Sequence, residues 1–116
     1  MGKVRIVVAN AGIAATATLN ETRSAQQLLA ALPIESRVQR WGDEVYFAVA
    51  LELPEEDPQA HVADGTVGYW PPGPALCIFF GQQPVSPVNV VGAVDGDAAA
   101  FARASVGQAI RIEFAE

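Results

Sequence analysis

A mainly β architecture, closed into a barrel and carrying one or two short α-helices, is what the patterning of this chain predicts. Roughly seven or eight short runs are rich in Val, Ile and aromatic residues, the composition that suits a pleated, half-buried surface. Turn signals separate them, at Asn10-Ala11-Gly12, Gly42-Asp43, Pro71-Pro72-Gly73-Pro74 and the proline-bearing stretch 81–87. One stretch, from Asn20 to Leu32, changes clearly to helical spacing. So many short strands leave exposed edges unless the sheet closes on itself.

The first strand is expected over residues 3–9, where Val4, Ile6 and Val8 share one face. After the Asn10-Ala11-Gly12 turn, residues 13–19 return as the second arm of a hairpin. The period then changes. Asn20 stands where it can N-cap a helix, and Glu21 falls in the first turn, where a negative charge is favourable. Ala25, Leu28, Leu29 and Leu32 follow at helical spacing, and Pro33 ends the helix.

Residues 34–41 and 44–53 flank Gly42-Asp43, the two-residue loop of a tight hairpin. Leu53-Pro54-Glu55-Glu56-Asp57-Pro58 is acidic and proline-bearing, and so an exposed loop. A strand over 62–70 is interrupted by Gly65 and Gly68. The three prolines of Pro71-Pro72-Gly73-Pro74 donate no hydrogen bonds, which predicts a rigid crossing between elements. The continuous apolar run 75–80 suits a strand covered on both sides. Residues 88–94 form a further strand and 98–104 a short helix. Residues 108–114 close the chain as a strand with Ile110, Ile112 and Phe114 inward.

A length of 116 residues suits one domain spanning 1–116. Hydrophobic residues make up 51% and charged residues 17%, so the surface must be finished largely with small and uncharged side chains. That leaves apolar surface which a second copy can cover, and a homo-oligomer is one expectation. The net charge is −6, and the seven basic residues are scattered. Nucleic acid draws affinity from clustered basic groups, so nucleic-acid binding is not expected, nor is binding to an anionic membrane. No apolar stretch approaches the roughly 18 residues of a membrane span. Met1-Gly2-Lys3 leads straight into a strand, so no signal peptide is expected. A single cysteine, Cys77, fits a reducing compartment, and a cytoplasmic location follows as the expectation.

From Gly68 onward the pattern becomes specific. Gly68-Tyr69-Trp70-Pro71-Pro72-Gly73, followed by Ala75-Leu76-Cys77-Ile78-Phe79-Phe80-Gly81 and Pro84, resembles the small bacterial and archaeal cyclophilin-like proteins. Trp41-Gly42-Asp43-Glu44-Val45-Tyr46-Phe47 is similar to the same family's hairpin, and the resemblance runs over essentially the whole chain. It implies a closed eight-stranded cyclophilin-like β-barrel with a helix near each open end, and it carries no established activity. The true prolyl isomerases of this superfamily rely on Phe-His-Arg, Gln-Gly-Gly and Gln-Phe-Phe signatures, and none occurs here. Gln82 and Gln83 follow Phe79 and Phe80 rather than preceding them. Arg37 and Arg40, the arginines available for the catalytic role, stand in no matching context.

His61, the only histidine, can serve as a general base if Asp57 or Asp64 orients it, but it reads more simply as a surface histidine after a loop. Cys77 lies inside an apolar strand, where burial makes a thiol inert. One His and one Cys do not make a metal site, and no cofactor is implied. Phosphate-loop, dinucleotide and catalytic-triad motifs are missing. The aromatic set Trp41, Tyr46, Tyr69, Trp70, Phe79 and Phe80 is either core or the wall of a pocket.

The expected function is a small-ligand or peptide-binding domain, taking a small molecule or a proline-containing peptide. Its site would be lined by Arg37, Tyr46, His61, Tyr69, Trp70, Phe80 and Gln82. The alternative is an enzyme, either a peptidyl-prolyl isomerase or a hydrolase-associated subunit, since similar barrels recur in proteins that resemble amidohydrolase and 5-oxoproline-processing subunits.

Overall fold

In the computed structural model, which describes residues 2–115, apolar alternation sets the inner face of each strand. β1 (Lys3–Val8) and β2 (Ile13–Leu19) form a hairpin around a 3-10 turn at Ala9–Ala11. Gly12 completes that turn at φ 67°, a conformation that favours glycine. α1 (Arg23–Ala30) follows, then β3 (Ile34–Arg37), β4 (Gln39–Arg40) and β5 (Glu44–Ala48). A long loop leads to β6 (Thr66–Trp70), β7 (Ala75–Phe79) and β8 (Asn89–Val94). A 3-10 helix at Ala98–Arg103 and β9 (Ala109–Phe114) complete the described chain.

The strands join in one antiparallel sheet, ordered β3-β9-β1-β2-β8-β6-β7-β5-β4. The two ends of that order are a single stretch of chain. β3 pairs with β9 and β4 pairs with β5, and only Val38 lies between them. Val38 is fully buried; its N–H donates to the Gln108 carbonyl and its own carbonyl accepts from Gly107 N–H, both at 2.9 Å. The stretch 34–40 therefore changes partner midway and closes the barrel. Hydrogen-bonded segments number nine among the described residues, against the eight expected, because this one strand is split at its change of partner.

Ile6, Val8, Val45, Phe47, Leu76, Ile78, Val91, Ile110 and Ile112 fill the interior, all at most 2% exposed. α1 covers the end where β1 begins and β2 finishes, adding Ala25 and Leu28 to the core. The 3-10 helix covers the other end with Phe101, and Arg103 beside it donates to the carbonyls of Ala11 and Gly12. Among the described residues, no helix is long and apolar enough to cross a membrane.

Several sequence expectations need correction. Thr22, not Asn20, caps α1: its Oγ1 accepts from Ala25 N–H, while Asn20 Oδ1 accepts from Thr22 N–H and Oγ1. The carboxylate at this helix start is Glu56, from the acidic loop, which accepts from the N–H groups of Arg23 and Ser24. The strand expected over 44–53 ends at Ala48, because Leu51 and Leu53 turn their backbone toward Tyr69 instead of a strand neighbour. The strand expected over 62–70 begins only at Thr66, because Val62 bonds the Gln83 side chain with both its N–H and its carbonyl.

Pro71-Pro72-Gly73-Pro74 is not a crossing but a hairpin loop, since Trp70 pairs with Ala75 on either side of it. Phe114 is 59% exposed rather than inward, lying at the barrel rim at the last rung of the β1–β9 ladder.

Candidate functional site

Strand parity decides which side chains leave the core. Val45 and Phe47 of β5 point inward, so Glu44 and Tyr46 point outward; in β7, Leu76 and Ile78 point inward, and Cys77 and Phe79 outward. Val67 and Tyr69 of β6 are likewise interior, which leaves Gly68 and Trp70 on the outer wall. On a sheet facing water this outer face would be polar. Here it is covered: Glu44 is 5% exposed, Cys77 2% and Phe79 1%.

The cover is the loop 80–88, which folds back over the wall and buries Val88 against Cys77 and Phe79. Gly68 makes the close approach possible, because a Cβ at that position would lie 2.8 Å from Val88 Cγ2. Several bonds hold the loop down. Trp70 Nε1 donates to Ser86 Oγ at 2.6 Å, Phe80 N–H donates to the Asp43 carbonyl at 2.9 Å, and Val88 and Gln59 exchange backbone hydrogen bonds. Gln82 lies against Gly42 in the β4–β5 turn.

Between loop and wall is a cleft of about 230 Å³, lined by Trp41, Glu44, Tyr46, Trp70, Cys77, Phe79, Pro84, Val85, Ser86 and Val88. Trp41 and Val85 form its exposed lips. Glu44 is the one carboxyl among the lining residues. Burial raises its pKa, an effect that a hydrogen bond with the Cys77 thiol partly offsets. Burial, reinforced by Glu44, pushes the thiol far above the ordinary range, so Cys77 is not an activated nucleophile. No cation lines the cleft among the described residues. Arg40, in the adjoining strand, donates to the carbonyls of Gly42, Ala102 and Ala104 and lies 5.4 Å over the Phe80 ring.

Of the seven residues expected from sequence to line a site, the structure brings Tyr46 and Trp70 together in this cleft. Tyr69 is inside the barrel, where its hydroxyl donates to the Leu51 carbonyl at 2.6 Å and accepts from Leu53 N–H at 2.9 Å. Adjacent residues of a strand face opposite ways, so Tyr69 and Trp70 cannot share a pocket. Arg37 is exposed on β3 and donates to the Gly107 carbonyl; His61 is exposed on the long loop. Phe80 packs against the main core beneath Arg40, and Gln82 is part of the loop's seat on the hairpin.

Glu44, Pro84, Val85, Ser86 and Val88 line the cleft without having been singled out. The alternations Glu44-x-Tyr46, Gly68-x-Trp70 and Cys77-x-Phe79 were the signal that could have found the wall. Among the described residues no cluster of His, Cys, Asp or Glu has the arrangement of a metal site.

A family model described as Cyclophilin-like matches residues 2–113. The solution structure of a hypothetical protein from Archaeoglobus fulgidus is similar, with 30% identity, a TM-score of 0.83, and coverage of 98% of this chain and 95% of that one. McbB, solved in complex with tryptophan, is similar in fold at 20% identity and a TM-score of 0.78, over 95% of this chain and 44% of that one. No curated protein matches.

Proposed function

The chain belongs to the cyclophilin-like family, and we propose that it is a small-ligand-binding domain without prolyl isomerase activity. The ligand would sit in the outer-wall cleft between β5, β7, β6 and the 80–88 loop. The observation that carries this reading is the apolar concavity on a face that an antiparallel barrel ordinarily presents to water. At about 230 Å³ the cleft suits one compact ring system better than an extended peptide.

Two features support the absence of isomerase activity. The isomerase signatures do not occur in the sequence, and the lining residues include no arginine to face a prolyl amide. A shared barrel does not supply the missing groups. McbB, which has a similar fold, holds tryptophan, and this makes indole compounds sensible first probes.

The test is a thermal-shift screen of compact aromatic and heterocyclic compounds against the protein and against Trp70→Ala. Saturable stabilisation that the variant loses is the expected result. A screen without hits, or hits that Trp70→Ala keeps at full strength, would remove the cleft from consideration. In a protease-coupled proline-peptide assay the expected rate is that of the uncatalysed background, and a rate above it would overturn the second half of the proposal.

A further inference from the structure

The cleft lining is largely apolar and aromatic; its polar groups are the Glu44 carboxyl, the Cys77 thiol beside it, the Tyr46 hydroxyl, the indole N–H groups of Trp41 and Trp70, and the Ser86 hydroxyl, which accepts from Trp70 Nε1. Glu44 is thus the one group able to carry a full negative charge there. Around it stand Cys77 and Phe79 from β7, Tyr46 from its own strand, Trp41 from the hairpin, and Pro84 and Val85 from the loop. Asp43, its neighbour in the turn, packs instead against Gly81. None of these neighbours is cationic.

A carboxylate in such surroundings is poorly solvated and unpaired, which is costly unless a positive charge arrives. The walls add to the same preference. Trp41, Tyr46 and Trp70 contribute aromatic rings, whose faces attract cations and do not attract anions. Resting on the reading of the cleft as the ligand site, we infer that its ligand is an amine borne on a compact aromatic or apolar body. The ammonium pairs with the Glu44 carboxylate, and the ring lies between Trp70, Phe79 and Val85. A neutral ring of the same shape gains only the burial, and a carboxylate-bearing one meets a like charge.

Three probes of one ring system separate these cases: tryptamine, indole and indole-3-acetate, titrated at pH 7.5 and followed by amide chemical shifts. Tryptamine is expected to bind about tenfold or more tightly than indole, with indole-3-acetate weakest of the three. Glu44→Gln, nearly isosteric, is expected to bring tryptamine to within about twofold of indole when both are measured on the variant. Indole-3-acetate binding as tightly as tryptamine would overturn the inference, as would an advantage of tryptamine that survives Glu44→Gln. The wild-type ranking decides the matter even if the variant folds poorly. Indole bound in the cleft with no gain for tryptamine refutes the amine and leaves the cleft standing; no binding by any probe at millimolar concentration refutes both.

Discussion

Glu44 combines a structural cost with a chemical opportunity. Burial raises its pKa above the ordinary value of 4.5, so the folded state disfavours the ionised form. Below about pH 4.5 the carboxyl is protonated in both states and this cost is nil. It grows as pH rises from the unfolded pKa to the folded one, and persists above it. Glu44→Gln is therefore expected to raise the urea midpoint at pH 7 and to leave it nearly unchanged at pH 3.5. Equal effects at the two pH values would show that the charge is not the cause. A second residue-scale prediction concerns Gly92 in β8. A Cβ there would lie 2.4 Å from the Thr18 carbonyl oxygen and 3.0 Å from Leu19 Cα, backbone atoms that cannot turn aside. Gly92→Ala should cost about 2–4 kcal/mol in equilibrium unfolding, in the range of severe overpacking. Neither residue was legible as special in the sequence. Glu44 reads as the polar start of a strand until register brings it opposite Phe79 and beside Cys77. Gly92 reads as a weak point until β2 is known to be its neighbour.

The element that makes the cleft is the loop 80–88, and its order depends on a few polar ties to an apolar wall. Trp70→Phe keeps most of the ring and deletes the donor to Ser86 Oγ. Faster amide exchange at Gln82, Gln83, Val85 and Ser86 is the expected result, with a change in global stability of about 1 kcal/mol, the scale of one hydrogen bond. Unaltered exchange in that stretch would mean that the backbone bonds of Phe80 and Val88 suffice to hold it. Elements were the best-read level of the sequence, because periodicity and turn chemistry are local. The hairpin at Gly42-Asp43 forms with Trp41 N–H donating to the Glu44 carbonyl, as a two-residue loop requires. The run 75–80 is covered on both sides as expected, although its outer cover is a loop and not a second layer. What local pattern could not supply was competition from distant groups. Glu56 reaches the start of α1 from the acidic loop, and Asn89, the first residue of β8, bonds Ser24 Oγ, the Pro54 carbonyl and Glu56 N–H together.

For the whole molecule, the Gly68-Tyr69-Trp70-Pro71-Pro72-Gly73 segment made the barrel legible, and the fold agrees with that resemblance along the chain. Closure by one strand that changes partner at Val38 was not legible, since Ile34-Glu35-Ser36-Arg37-Val38-Gln39-Arg40 holds no glycine or proline to mark a break. The site was half legible for a related reason. Aromatic content marked part of the cleft wall, but only the inside and outside of a closed barrel separate Tyr46 and Trp70 from Tyr69, and only the folded loop adds Val85 and Val88. Arg37 and His61 were grouped with them by residue type, and neither lines the cleft. A proton–nitrogen correlation titration with indole distinguishes the two placements. If the outer-wall cleft is the ligand site, saturable shifts will gather at Glu44, Tyr46, Trp70, Cys77 and Val88, while Arg37 and His61 stay still. Shifts centred on Arg37 and His61, or none at millimolar indole, would contradict it.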